Sequence, residues 1–371
     1  MAVTLLTGPE ASTDNTSNNV PGMIADIADL EPNATPLLQL LDKIKKRPAS
    51  NPRVDWQTQD PMPRLTTITA SAASNATSFA VANDYFRAGD VIRFTSLGFA
   101  FLVTASAANA ISGVKIGQAN QVSAASGSEI YIVSNANAEG SSLREIKYPQ
   151  LASNYNYCQI VTTEFGISGT EDATEHYGGD ERARLQKFHG VEHARKWEDT
   201  LFFGGRGLSG TNQRSAGGLK DYITTNVTAD TGGTTEGDWQ TFLKSAFRYG
   251  SEEKAAFCSP GAISAIEGFA RTNLRVNDNI ASKYGVQMKQ YVSGQGVVNL
   301  MMHRNWNDSA TLGGYIFLVD MEDLELRMLR DNRLRQNVQS PDYDGFKDQY
   351  LGEGTLVVKD ERKHALLTGV S

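Results

Sequence analysis

Metal and nucleophilic chemistry draws mostly on histidine, cysteine and carboxylate side chains, and this 371-residue chain holds only five histidines and two cysteines. Enzyme-like spacing occurs at His189-Gly-Val-Glu-His193. It fits H-x-x-E-H, in which two histidines four apart on one helix face hold zinc and the glutamate activates water. His189, Glu192 and His193 would then make a zinc-dependent peptidase. Against that reading, Gly190 lies inside the motif and no later helix offers a third carboxylate ligand. The flanking Arg184, Lys187, Arg195, Lys196, Glu198 and Asp199 also put charge on every side, where a cleft would need apolar walls. As solvated i, i+4 neighbours the histidines need no metal.

Gly205-Arg-Gly-Leu-Ser-Gly210 matches G-x-G-x-x-G. A dinucleotide fingerprint must follow a strand and open a helix. Here the glycines follow a helical pattern and enter a Gly/Ser/Asn loop, so a hinge is expected. Cys158 and Cys258 stand far apart in unrelated contexts and read as reduced, buried small hydrophobes. No catalytic residue, cofactor or metal is therefore expected.

The elements carrying these residues say more. Residues 1–22 are rich in Thr, Asn, Ser, Gly and Pro and read as an arm that orders only against another surface. Pro36 followed by apolar positions 37, 38, 40, 41 and 44, with Lys43-Ile-Lys-Lys-Arg47 behind them, predicts a short amphipathic helix. Arg53–Gln57 alternates as a strand. Between 65 and 142 charge nearly vanishes (Asp84, Arg87, Asp90, Arg93, Lys115, Glu129, Glu139), and short alternating stretches at 78–81, 91–94, 99–103, 113–116 and 130–133 predict a small inserted all-β domain. The β-branched, aromatic run Asn154–Ser168 predicts a long strand whose natural partner is Arg53–Gln57.

A helix is expected from about Glu171 to Phe203, with Gly178-Gly179 able to delay its start and Phe188, Val191, Ala194, Trp197 and Leu201 as its inward stripe. Charged on its open face, it would serve as a strut. Further on, Asp238 is expected to cap a helix over Trp239–Phe247, and Ser259-Pro260 to start another with Ile263, Ile266 and Phe269 or Ala270 inward. Strands are expected at Ala255–Cys258, Val286–Val292, Val297–His303, Tyr315–Asp320, Leu324–Leu329 and, last, Thr355–Lys359. The fold class is α+β.

Net charge is −7, which argues against a sequence-independent nucleic-acid binder needing clustered cations. No run approaches the length of a membrane span, so no membrane contact is expected.

This order of parts, with Leu30-Glu-Pro-Asn-Ala-Thr-Pro-Leu38, Val54-Asp-Trp-Gln57, Tyr85-Phe-Arg-Ala-Gly-Asp-Val-Ile92, Asn156-Tyr-Cys-Gln-Ile160, Arg214-Ser-Ala-Gly-Gly-Leu219 and Gly313-Gly-Tyr-Ile-Phe-Leu-Val-Asp320, resembles the major capsid proteins of tailed bacteriophages. That fold is shared with herpesvirus shells and encapsulins, and the resemblance is to a subfamily with a β insert in its extended loop. It implies an N-terminal arm (1–22), a helical segment (23–47), an extended β-hairpin loop (48–64 with 143–170) bearing the insert (65–142), a spine helix with peripheral domain (171–235), an axial domain (236–330) and a C-terminal return to the peripheral domain (331–371). It implies hexamers and pentamers of the chain itself in an icosahedral or elongated head. That head would enclose double-stranded DNA without sequence-specific contacts. A separate scaffolding protein, a portal and a decoration protein are implied partners. The location is the virion shell, after synthesis in the bacterial host cytoplasm. A hairpin so long cannot bury both faces within one subunit. Arg53, Asp55, Trp56, Asn154, Tyr155 and Tyr157 are accordingly the candidate inter-subunit contacts. The alternatives are an encapsulin-like compartment and the zinc peptidase.

Overall fold

The computed structural model describes residues 35–370 except 74–75, 95–99, 118–123, 175–178, 231–232, 274–275, 284–285 and 309–311. The expected arm at 1–22 therefore lies outside the described residues. So do the first residue of the stretch at 99–103 and the side chains of Phe269 and Ala270.

Along the chain come α1 (Pro36–Ile44), β1 (Lys46–Pro48) and β2 (Arg53–Gln59). Six strands follow: β3 (Leu65–Thr67), β4 (Ser78–Ala80), β5 (Asp90–Phe94), β6 (Ala100–Ala107), β7 (Ala110–Ile116) and β8 (Glu129–Asn135). Then come β9 (Leu151–Tyr157), β10 (Gln159–Ser168), the one-turn α2 (Gly169–Asp172) and the long α3 (Glu181–Phe203). After the tiny hairpin β11 (Gly207–Leu208) and β12 (Arg214–Ser215) stand α4 (Leu219–Tyr222), β13 (Val227–Ala229), α5 (Glu236–Ala246), β14 (Glu253–Cys258) and α6 (Pro260–Asn273). The chain finishes with β15 (Val276–Lys283), β16 (Val286–Ser293), β17 (Gly296–Met302), β18 (Ile316–Val319), β19 (Leu324–Arg335), β20 (Gly345–Val358) and β21 (Ala365–Thr368).

Residues Gln57–Asn154 form one compact unit. Its sheet runs β3-β8-β5-β6-β7-β4, all antiparallel. The unit closes on Phe79, Phe86, Phe94, Phe101, Ile92, Ile111 and Ile130, all buried, with Phe79 and Phe101 meeting edge to face at 5.2 Å. No helix occurs among its described residues.

The residues before and after it form the second unit. Its four-stranded sheet, β1-β19-β20-β10, packs one face on α3 and α1 around Trp197, Leu201, Leu37, Leu41, Met328 and Leu356. Its seven-stranded sheet, β13-β21-β18-β14-β17-β16-β15, is covered by α5 and α6 through Trp239, Phe242, Leu243 and Ile266.

Several expectations change. The run Asn154–Ser168 splits at Cys158: β9 pairs β2, while β10 pairs β20 from Gln159↔Gly354 to Ser168↔Gly345. β20 is far longer than the expected Thr355–Lys359, because glycines hide its pattern. At Gly352 and Gly354 the space a Cβ would fill holds Asn332 Oδ1 and Met328 Sδ, so side chains of β19 substitute for those that β20 lacks. The last strand is β21, inserted between β13 and β18. The long helix starts at Glu181 on the Asp180 side chain, which accepts from the Arg182 and Ala183 amides. Asp238 is not the cap of α5. Thr235 is, with Asp238 reciprocating three residues on in a capping box.

Candidate functional site

The zinc-like motif is taken apart by its own helix. His189 Nδ1 lies 2.9 Å from Glu192 Oε2, and the ring stacks on Phe165 at 5.1 Å. Glu192 also bridges Lys196 at 3.0 Å. His193 is not the solvated neighbour expected but a buried one. The Trp197 indole donates to its Nε2 at 3.2 Å, which places the ring proton on Nδ1, 3.3 Å from Thr163 Oγ1. Burial lowers the His193 pKa. Gly190 makes room for Tyr350, whose hydroxyl donates to the Gln186 carbonyl at 3.0 Å. Among the described residues no group of three or more His, Cys, Asp or Glu is placed to hold a metal. Gly205–Gly210 leads through β11 into the hairpin with β12, so no helix opens behind it. Both cysteines are free and buried, and burial pushes the Cys158 thiol up to about 11 and Cys258 higher still.

Four of the six candidate contact residues gather at the root of the β2–β9 ribbon. Arg53 sits 2.9 Å from Asp55 and lies over the Tyr155 ring at 4.1 Å. Tyr155 meets Tyr157 edge on at 5.5 Å. Arg206 covers the other contacts of Tyr155, over its ring at 4.5 Å and donating to its carbonyl at 3.0 Å. Trp56 tilts against Tyr222, centroids 5.7 Å apart. Asn154 is half-buried, while Arg53 and Asp55 are exposed.

The residue that holds this root was not singled out from the sequence. Asn156 is fully buried, donates to the Gly217 and Leu356 carbonyls at 2.9 and 2.7 Å, and accepts from the Gly217 and Tyr157 amides at 2.8 and 2.9 Å. Each donor and acceptor of the amide is satisfied, which is the condition for burying it.

Glu198 is the second. It belongs to the buried stripe of α3 with His193, Trp197, Leu201 and Phe202, displaced from the stripe expected through Phe188 and Val191. Its Oε1 and Oε2 accept from the amides of Leu37 and Leu38 at 2.9 and 2.7 Å. Thr35, at the cap position of α1, gives no side-chain bond to the helix amides, so a carboxylate from a helix 161 residues away caps it instead. His303 Nε2 stands 3.5 Å from Oε1, with its ring stacked on Trp306 at 4.3 Å. Burial raises the Glu198 pKa, opposed by His303 and the two amides. A nine-residue helix is marginal alone, so this tie holds α1 in place. The clue in the sequence was position: Glu198 falls three and four residues before Leu201 and Phe202.

In the unit at 57–154, charges tie down one segment. Arg144 donates to Asp90 at 2.6 Å, Lys147 to the Phe86 carbonyl at 2.9 Å, and Arg87 to the Lys147 carbonyl at 2.9 Å. These bonds hold 143–148 against the sheet cations-first, leaving Leu143, Ile146 and Tyr148 at 98, 81 and 77% exposure.

One long helix across a four-stranded sheet and a second sheet backed by two helices define the shell-protein fold of tailed phages. The capsid of cyanophage A-1(L) superposes with a TM-score of 0.58 at 10% identity, covering 97% of this chain and 99% of that one. The capsid of Myoviridae phage XM1 gives 0.52 at 11%, covering 98% and 100%. The holo-SrpI encapsulin of Synechococcus elongatus PCC 7942 gives 0.49 at 10%, covering 98% and 96%. No curated protein matches. The chain belongs to the SU10 major capsid protein family, whose model matches residues 10–371. It is a structural phage capsid protein that self-associates in the virion shell, and not an enzyme.

Proposed function

We propose that the chain is made in the bacterial host cytoplasm and assembles as hexamers and pentamers into an icosahedral or elongated head around double-stranded DNA, which it meets without reading sequence. In this reading 48–64 with 143–170 is the extended loop lying over a neighbouring copy, and Arg53, Asp55, Trp56, Asn154, Tyr155 and Tyr157 meet that neighbour. Residues 65–142 are its insert, 171–235 and 331–371 make the peripheral domain, and 236–330 makes the axial domain. A separate scaffolding protein directs closure, a portal occupies one vertex, and a decoration protein is accommodated outside.

The observation that carries this reading is the segment 143–148. Its cations are turned inward and its large apolar side chains outward, and clustered exposed apolar side chains mark a surface that a partner covers. Electron microscopy of the chain expressed with and without its scaffolding partner tests the assembly. Uniform shells with hexameric capsomers are expected, and Leu143→Ser with Ile146→Ser and Tyr148→Ser is expected to leave soluble, folded, unassembled chain. A chain that stays monomeric under every condition would overturn the reading.

A further inference from the structure

The two faces of the four-stranded sheet differ in kind. On β10 and β20, Phe165, Tyr350, Asp348 and Gly352 turn toward α3: Phe165 stacks on His189, Tyr350 bonds to Gln186, and Asp348 takes Arg182 at 2.7 Å. The intervening residues of β20, and their partners across the ladder, face away. That register puts Arg330 opposite Glu353, Arg333 opposite Leu351 and Arg335 opposite Gln349. Gln349 in turn donates to Glu164 of β10 at 2.9 Å, which fixes the shared face.

Bulges between Met328 and Arg330 and between Arg330 and Arg333 keep the three arginines on that one side despite their uneven spacing. Glu353 is already shared by Arg330 at 2.7 Å and Arg214 at 2.9 Å. Arg333 and Arg335 are exposed and have no ion pair among the described residues. Lys347 is exposed nearby on the same face. An acidic protein thus displays a local excess of unpaired cations.

The matching anions are in the same chain. Residues 1–34 hold Glu10, Asp14, Asp26, Asp29 and Glu31 and not a single lysine or arginine, so they supply five of the seven net negative charges. The rest of the molecule is nearly neutral. Asp26, Asp29 and Glu31 lie only four to nine residues before Thr35, a reach of roughly 13 to 30 Å when extended at about 3.3 Å per residue. α1, where the segment joins the fold, packs with Trp197, Leu326 and Leu356 on the α3 side of the sheet, and Glu198 holds its first amides there. Each segment therefore joins its own subunit on the sheet face opposite its own arginines.

We propose that the acidic N-terminal segment of one copy docks on the Arg333–Arg335 face of a neighbouring copy, pairing Asp26, Asp29 and Glu31 with Arg333, Arg335 and Lys347. The contact rests on the shell reading above and gives it a charge-based handhold that weakens with salt.

Two full-length variants test it: Arg333→Glu with Arg335→Glu, and Asp26→Lys with Asp29→Lys and Glu31→Lys. Both change exposed or N-terminal charges, and unchanged melting of the unassembled chains checks that they fold. Each variant alone is expected to lower shell yield about tenfold, because like charges now face each other. Mixing the two in equal amounts is expected to restore the yield, since each offers the other a complementary face. Restoration only when both reversals sit in one chain would assign the segment to its own subunit and overturn the contact between copies. Normal shells that retain less DNA in the arginine variant alone would assign the face to phosphates and overturn it as well. Wild-type shells unaffected by either reversal would sink the contact alone. Failure of wild type to form any shell would sink the assembly reading with it.

Discussion

The two compact units solve opposite problems with their charged residues. The unit at 57–154 closes on aromatic and branched side chains and keeps its ions outside that cluster, where Arg144 on Asp90, with Arg87 and Lys147 on backbone carbonyls, tacks down the segment 143–148. The larger unit buries ionisable and amide groups as ties between distant parts: Glu198 onto α1, Asn156 onto β20, and Lys254 onto the carbonyls of Ala246 and Tyr249 at 2.7 and 2.8 Å. A core of aromatics tolerates sequence change as long as volume is kept. A buried polar tie demands every partner at once. The smaller unit is thus suited to vary and the larger one to hold a single arrangement.

The sharpest way to break this comparison is to empty one core and watch the other. Phe101→Ala, at a fully buried position between Phe79 and Phe94, is expected to cost about 4 kcal/mol within the smaller unit. Calorimetry should show the transition of that unit shifted and the other unmoved; a single shared shift would mean that the units do not fold independently. Glu198→Ala is next, at about 3 kcal/mol, since it strands two amides and His303 in a dry site. Hydrogen exchange at Leu37 and Leu38 should rise far more than in β14 or β18, and equal protection in the variant would refute the cap.

Acid should act on the larger unit as well. Burial, and then the charge of Lys254, lower the His364 pKa from 6.5 to about 4, while its Nδ1 accepts the Asp320 amide at 3.1 Å. The folded state therefore keeps the ring neutral where the unfolded chain takes a proton. Stability is full above pH 6.5 and falls by up to about 3 kcal/mol as pH drops toward 4. The raised pKa of Glu198 works in the other sense, so the measurement is the difference between wild type and His364→Gln, which should lose that part of the slope. Asn156→Ala is expected to cost about 2 kcal/mol in chemical denaturation, by leaving the Gly217 and Leu356 groups unpaired. Smallest of all, His189→Ala should change stability by under about 0.5 kcal/mol, with no zinc bound before or after by elemental analysis. Stoichiometric zinc lost with that substitution would reopen the peptidase reading.

What could be read early follows from how local each signal is. Pro36 with its leucines, Ser259-Pro260, and the alternation at Arg53–Gln57 and Val297–His303 name their elements because helix starts and strand periodicity are written within a few residues. β20 could not be read that way, since Gly345, Gly352 and Gly354 are strand residues only by virtue of what β19 and β10 place beside them. β21 is four residues long and is a strand because β13 and β18 flank it.

The site divides along the same line. His189 to His193 displayed a chemical spacing, yet the structure turns one ring onto Phe165 and the other toward Thr163. Glu198 looked like one more surface charge on a helix full of them and is instead the buried cap of α1. By itself the sequence determined the α+β class, the helix starts at Pro36 and Ser259-Pro260, the poverty of catalytic material and the acidity of residues 1–34, all properties of composition or of neighbours along the chain. Only the tertiary structure decided that Asn154–Ser168 divides its pairing between β2 and β20, and which carboxylates are buried. It also set the arginines of β19 on one open face. Partners that lie 100 to 200 residues apart leave no periodic trace in the sequence, because their energy comes from burial that exists only once both are in place.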